Sequence, residues 1–98
     1  MGENFQEAPL PLGSVFRRDD HVILVSKPVG EPRKRYRLSV RISSIHEGIY
    51  QGFISSVENA DDHEAPGDFF HREERISFEK RHIQGIASFA EKSAAQAR

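Results

Sequence analysis

The stretch Tyr36-Arg37-Leu38-Ser39-Val40-Arg41-Ile42 alternates apolar and polar residues with a strict period of two. Only a β-strand places alternate side chains on opposite faces in this way. The apolar side chains therefore face a core, whereas Arg35, Arg37 and Arg41 share the other face. Tyr36 lies on the core side, so its ring does not join these cations in one stacking surface.

Three other segments have the composition of strands: 21–27, 49–57 and 74–80. Branched apolar and aromatic residues are frequent in them, and Pro28 and Gly30 end the first. Segment 74–80 alternates like the opening stretch, and segment 49–57 follows that stretch after a short connection. The chain is therefore expected to form four or more mainly antiparallel strands.

The connection between residues 36–42 and 49–57 has the length of a β-hairpin. A one-residue change of register would turn every side chain to the other face. A two-residue turn at Glu47 and Gly48 aligns the apolar rows of the two strands, and a three-residue loop does not. The favoured turn predicts four opposed pairs, which are Leu38 with Val57, Ile42 with Phe53, Arg37 with Glu58 and Ile45 with Tyr50.

The two ends of the chain differ from this pattern. Residues 1–13 carry Pro9, Pro11 and Gly13 among polar positions, which predicts a flexible N-terminal arm. Residues 14–90 are expected to form a single β-rich domain, and 91–98 a frayed tail. Residues 81–86 are expected to form a strand end or a turn. Good helix formers in 87–98, with small or apolar residues at helical spacing from Ile83 to Ala97, predict a short C-terminal helix. The expected fold class is α+β and β-rich, with a curved sheet or a partly open small β-barrel.

Length and composition limit the class of protein. The chain has 98 residues, no cysteine and a formal net charge of -1. One domain is expected at this length, and disulfide and thiolate chemistry are excluded. No apolar run is long enough to span a membrane, and the N-terminus lacks the features of a secretory signal. We therefore expect a cytoplasmic protein that does not bind membranes.

Charge is divided unevenly along the chain. Residues 27–45 hold six cations and one acid, whereas residues 46–74 hold eight acids and one arginine. The basic stretch is either a solvated strand face balanced by cross-strand acids such as Glu58, or a surface for an anionic ligand. Its candidate binding residues are Arg33, Lys34, Arg35, Arg37 and Arg41.

The acidic segment 58–73 is long for a connection within a small domain, and such loops are often functional. Its spacing matches neither a calcium loop nor a zinc-binding helix, so no metal site is predicted. Phe69 and Phe70 are expected either to tuck beneath the loop or to remain exposed for a partner. The candidate binding residues of this loop are Asp61, Asp62, His63, Phe69, Phe70 and His71.

No catalytic motif stands out in the sequence. It contains no Gly-x-Ser-x-Gly elbow and no glycine-rich phosphate loop, and His21, His46 and His82 are far apart in sequence. An enzyme needs a nucleophile or an acid and base pair within one pocket. We therefore predict no catalytic residue and no cofactor.

From Tyr36 to Ile86 the sequence resembles the small YegJ-like bacterial domains of unknown function. The resemblance rests on the alternating strand, the Gly48 to Ile54 segment, the Gly67-Asp68 pair, and Arg75-Ile76-Ser77-Phe78 followed by Ile83. It covers about half of the chain. It implies a compact β-rich fold and no particular activity.

Together these features predict a small non-enzymatic interaction module. The basic strand face and the acidic loop would bind a protein partner or a second copy of the chain, and an exposed strand edge favours a homodimer. The alternative is a β-barrel that binds single-stranded nucleic acid through the arginine-rich strand.

Overall fold

The computed structural model describes residues 5–8, 15–67 and 69–86. They form one five-stranded antiparallel sheet with the strand order β4-β3-β2-β1-β5. Among the described residues the sheet does not close into a barrel, and the β-rich fold expected from the sequence is confirmed. The strands are β1 (His21–Val25), β2 (Tyr36–His46), β3 (Ile49–Asn59), β4 (Arg75–Glu79) and β5 (Gly85–Ile86).

One face of the sheet carries the core, and the opposite face is called the outer face below. Val22, Leu24, Leu38 and Val40 are fully buried, and they meet as directly opposed pairs across β1 and β2. Aromatic rings extend this core in two groups. The first is Phe16, Tyr50 and Phe78, and the second is Phe5, Tyr36 and Phe70.

The β2–β3 hairpin turns at Glu47 and Gly48, as predicted. Both residues have positive φ, 52° and 82°, which is the requirement of a type I′ turn. Three of the four predicted pairs are confirmed, namely Leu38 with Val57, Arg37 with Glu58 and Ile45 with Tyr50.

The fourth predicted pair is wrong, because Ile42 lies opposite Gly52 and Arg41 lies opposite Phe53. The register shifts by one residue between Ser39 and Val40, and shifts back between Ile42 and Ser44. Each shift is a β-bulge, in which one strand contributes an extra residue. The two bulges offset each other, so the turn and the far end of the hairpin keep the predicted register.

Gly52 explains how the shifted segment packs. A Cβ atom at this position would lie 2.5 Å from the carbonyl oxygen of Arg41 and 2.6 Å from a methyl group of Val40. Real side chains do not approach this closely, so only glycine permits β2 and β3 to meet here.

The predicted C-terminal helix is not seen in the part of its span that the structure describes. Lys80–His82 forms a single 3-10 turn, Ile83 is extended, and Gly85–Ile86 pairs with β1 as β5. Ile83 is fully buried, which favours insertion of this segment into the core over an exposed helix. Residues 87–98, which hold the rest of the predicted helix and the predicted tail, lie outside the described residues. The α+β class is thus corrected to a β-sheet fold for the described chain.

Residues 5–8 belong to the segment predicted as a flexible arm, and they lie against the sheet. Phe5 is 5% exposed and forms a β-bridge with Ser26. The backbone N–H of Gln6 donates to Val25, and that of Ala8 donates to Arg81. The remainder of the predicted arm, 1–4 and 9–13, lies outside the described residues.

Candidate functional site

The basic stretch and the acidic loop lie side by side and pair with each other. Lys34 Nζ lies 2.6 Å from Glu64 and 3.8 Å from Asp62, and Arg37 lies 3.5 Å from Glu58. The guanidinium of Arg35 makes two hydrogen bonds to the carboxylate of Asp61. We call this set the charged seam, and its members are Lys34, Arg35, Arg37, Glu58, Asp61, Asp62 and Glu64.

The hairpin itself brings these charges together. The residues just before β2 lie beside those just after β3, and Ala60 N–H donates to the carbonyl of Arg35 at 3.0 Å. The side-chain amide of Asn59 then donates to the carbonyls of Glu64 and Ala65, which folds the loop back on itself. The acids of the loop therefore lie over the cations of the neighbouring segment.

Electrostatics within the seam favour the charged forms. The hydrogen bond from Arg35 lowers the pKa of Asp61, and the hydrogen bond to Glu64 raises the pKa of Lys34. These pairs are exposed, so each stabilises the fold only weakly. Their main consequence is that the seam cations already have carboxylate partners. Arg33 lies beside the seam, where its guanidinium donates to the carbonyl of Pro28 at 3.5 Å.

Arg41 lies apart from the other candidate cations, on the outer face in the middle of β2. His21 and Phe53 flank it on the adjacent strands, and Arg75 lies opposite Phe53. The guanidinium carbon of Arg41 is 5.8 Å from the centroid of the Phe53 ring. His21, Arg41, Phe53 and Arg75 are called the outer row.

The outer row could not be predicted from the sequence, because the predicted register of β2 and β3 is wrong by one residue at Phe53. In the predicted register Phe53 opposes Ile42 and faces the core. In the structure it opposes Arg41, and its side chain is half-buried on the outer face. The residues around Ser43 and Ser55 carry no sequence pattern that predicts the two β-bulges, and these bulges shift the register at Phe53.

The adjacent phenylalanines of the loop divide between the two predicted outcomes. Phe70 is buried against Phe5 and Tyr36, whereas Phe69 is 44% exposed. Phe69 borders a cleft of about 530 Å³, which we call the loop cleft. Its lining includes Gly30, Glu31, Pro32, Lys34, Tyr36, Glu64 and Phe69.

The histidines and remaining acids of the loop do not converge. His63 and His71 are exposed, and the backbone N–H of His71 donates to Glu74. Across residues 5–8, 15–67 and 69–86, no three His, Asp or Glu side chains gather as metal ligands would. Asp61 and Asp62, both predicted as binding residues, instead face Arg35 and Lys34.

The chain matches no protein-family model, and comparison with curated proteins and with solved structures also gives no match. The resemblance to YegJ-like domains therefore stays a prediction. In the described part of the chain, no helix has the length and apolar character needed to cross a membrane.

Proposed function

We propose that this protein is a non-enzymatic interaction module that binds an extended segment of a partner protein in the loop cleft. One observation carries the proposal: Phe69 is exposed at the mouth of the cleft, while its neighbour Phe70 is anchored in the core. Aromatic residues, phenylalanine included, are enriched in the cores of protein–protein interfaces, so an exposed phenylalanine beside a cleft is a candidate anchor.

The walls of the cleft are held in place before any partner arrives. Val29 and Lys34 exchange backbone hydrogen bonds of 3.0 and 2.9 Å, which closes the turn on one side. The ion pair between Lys34 and Glu64 ties that turn to the loop on the other side. A preformed cleft loses less conformational entropy on binding than a mobile one does.

Gly30 lies in the turn beside the ring of Phe69, and its positive φ favours glycine at this position. Its φ is +85°, and a Cβ atom there would lie 3.6 Å from the ring of Phe69. The ring therefore packs along the backbone of the turn and presents its remaining surface to solvent.

Charge around the cleft indicates the chemistry of the partner. Glu31 and Glu64 line the cleft, and Asp62 lies 3.8 Å from Lys34 at its edge. Two of these carboxylates contact the ammonium group of Lys34, and Glu31 adds a third negative charge at the cleft. The segment that fits this surface carries an apolar anchor residue next to a lysine or arginine.

Selection from a phage-displayed library of random linear peptides on the full chain tests this proposal. Enriched peptides should combine an apolar residue with an adjacent basic one, and Phe69→Ala should weaken their binding about 10-fold. Glu31 is exposed, and Glu31→Lys should weaken peptide binding because it reverses the charge at this position of the cleft. Ile45→Ala is the matched control, because Ile45 is 40% exposed on the hairpin.

Two results would overturn the proposal. The first is a library with no enriched peptide, and the second is an affinity that neither Phe69→Ala nor Glu31→Lys changes.

The predicted homodimer is a separate expectation. Sedimentation velocity across a range of concentrations tests it, and a monomer throughout would reject it.

A further inference from the structure

We propose that the outer row is a binding surface for single-stranded nucleic acid, with a base stacked on Phe53 and phosphates bound by Arg41 and Arg75. This surface is distinct from the loop cleft, and the inference does not depend on the proposed function. Of the basic residues predicted as a nucleic-acid surface, the row keeps Arg41 and leaves out Arg33, Lys34, Arg35 and Arg37.

Strand register places the three side chains together. Arg41 is directly opposite Phe53, and Phe53 is directly opposite Arg75. Directly opposed residues of antiparallel strands share a face, with Cβ atoms about 5 Å apart. Phe53 therefore lies between two arginine residues on the same face, which is the combination of aromatic and cation that binds single strands without sequence preference.

Arg75 is the more available of the two arginines of the outer row. It is exposed, and within the described part of the chain it has no ion pair. Arg41 lies 3.2 Å from Asp19, but both side chains of that pair are exposed. An exposed pair of this kind is weak, so a phosphate can replace the carboxylate.

Ser39 provides an independent observation on the same face. It is only 7% exposed, and its hydroxyl is buried with no hydrogen-bond partner. Buried hydroxyls are rarely left unpaired in folded proteins. Ser39 lies between Arg37 and Arg41 in the alternation of β2. A phosphate or base edge bound beside Arg41 could accept a hydrogen bond from this hydroxyl.

Fluorescence anisotropy with labelled oligo-dT and oligo-U of about eight nucleotides tests the inference. Because loss of stacking removes sequence-independent affinity, Phe53→Leu should weaken binding about 10-fold, and Phe53→Tyr should retain it. Arg75→Ser should weaken binding about 5-fold and reduce the salt slope by about 0.7, the value for one lost single-strand phosphate contact.

Arg35→Ser is the matched control, since it removes an arginine that Asp61 already pairs. Its affinity should stay within about 2-fold of the wild type. Thermal melts of every variant separate lost binding from lost folding. Should Phe53→Leu unfold the chain, Arg75→Ser still tests the row, because Arg75 is exposed.

Three outcomes would overturn the inference. One is the absence of saturable binding at about 50 mM salt, where phosphate contacts are strongest. Another is oligonucleotide binding that Phe53→Leu and Arg75→Ser leave unchanged. The third is equal loss of binding in Arg35→Ser, which would indicate general attraction to the basic stretch.

Discussion

The charged seam and the outer row use arginines of the same strand region in opposite ways. In the seam, Arg35 and Arg37 face Asp61 and Glu58. In the outer row, Arg41 pairs with Asp19 and lies over the ring of Phe53, and Arg75, which has no ion pair among the described residues, lies opposite Phe53. The density of cations along the chain is greatest where carboxylates neutralise them.

This contrast shows that the availability of a charge depends on its neighbours in space. Residues 27–45 have a net positive charge, which on its own suggests a binding surface. The acids that follow in sequence fold back onto the same residues. Arg75 of β4, which lies opposite an aromatic ring and has no ion pair among the described residues, is the better candidate for recognition.

The largest expected effect comes from breaking the register that creates the outer row. Gly52→Ala places a Cβ atom against the carbonyl oxygen of Arg41, and we expect it to reduce the free energy of unfolding by about 3 kcal/mol. Urea denaturation measures this loss. Gly85→Ala is the control, because nothing lies within 4 Å of its Cβ position. Equal stability of the two variants would contradict the close approach of β2 and β3.

The next largest effect on stability is expected at two buried serines, one near the seam and one on the outer face. The Ser26 hydroxyl accepts the backbone N–H of Tyr36 at 2.8 Å, where the seam begins. Ser26→Ala leaves that N–H unpaired and should cost about 1 to 2 kcal/mol. Ser39→Ala on the outer face removes a hydroxyl that has no partner, so it should be neutral or stabilising.

Urea denaturation of both variants measures these effects. Loss of stability in Ser39→Ala comparable with that in Ser26→Ala would show that the Ser39 hydroxyl is bonded in the folded protein. The outer row would then lose its independent support.

A smaller effect is expected from pH. Burial lowers the pKa of His82, and Arg81 lowers it further; burial and Arg41 likewise lower the pKa of His21. The folded state then binds fewer protons than the unfolded state. The contribution of these histidines to the free energy of unfolding should therefore be fully present above about pH 6.5 and decrease as the pH falls below it. Thermal melts between about pH 8 and pH 5 measure the fall.

Two variants assign this pH dependence. His82→Asn removes the titrating group while its carbonyl oxygen can accept the N–H of Glu79, which His82 Nδ1 accepts at 3.0 Å. His21→Asn removes the histidine of the outer row. Each should flatten part of the curve, and an unchanged slope in both variants would show that other groups cause the fall.

The smallest effect is expected in the seam itself. Arg35→Gln, Asp61→Asn and the double variant form a cycle that measures the coupling of one exposed pair. We expect a small coupling that disappears in high salt, since solvent and ions screen exposed charges. A large coupling that persists in salt would mean that the seam is a structural element of the fold.

Much of the fold could be predicted from the sequence. The alternation from Tyr36 to Ile42 correctly indicated a strand with Tyr36 inside and Arg37 and Arg41 outside. Alignment of the apolar rows identified the turn at Glu47 and Gly48. These features depend on local periodicity, which a single sequence displays directly.

The features that could not be predicted depend on contacts between distant residues. Phe5 is buried because it packs on Phe70 and His82, far along the chain. The bulges at Ser43 and Ser55 accommodate packing of the two strands, and serine has no preference that marks them.

Cross-strand nuclear Overhauser effects between β2 and β3 test the central claim most directly. Ile42 directs its N–H and C=O toward Asp20 and Asp19, so its pair on β3 is non-hydrogen-bonded, with Cα atoms about 4.5 Å apart. The structure predicts a strong Hα–Hα effect between Ile42 and Gly52. A strong effect between Ile42 and Phe53 would instead place the ring in the core and remove the outer row.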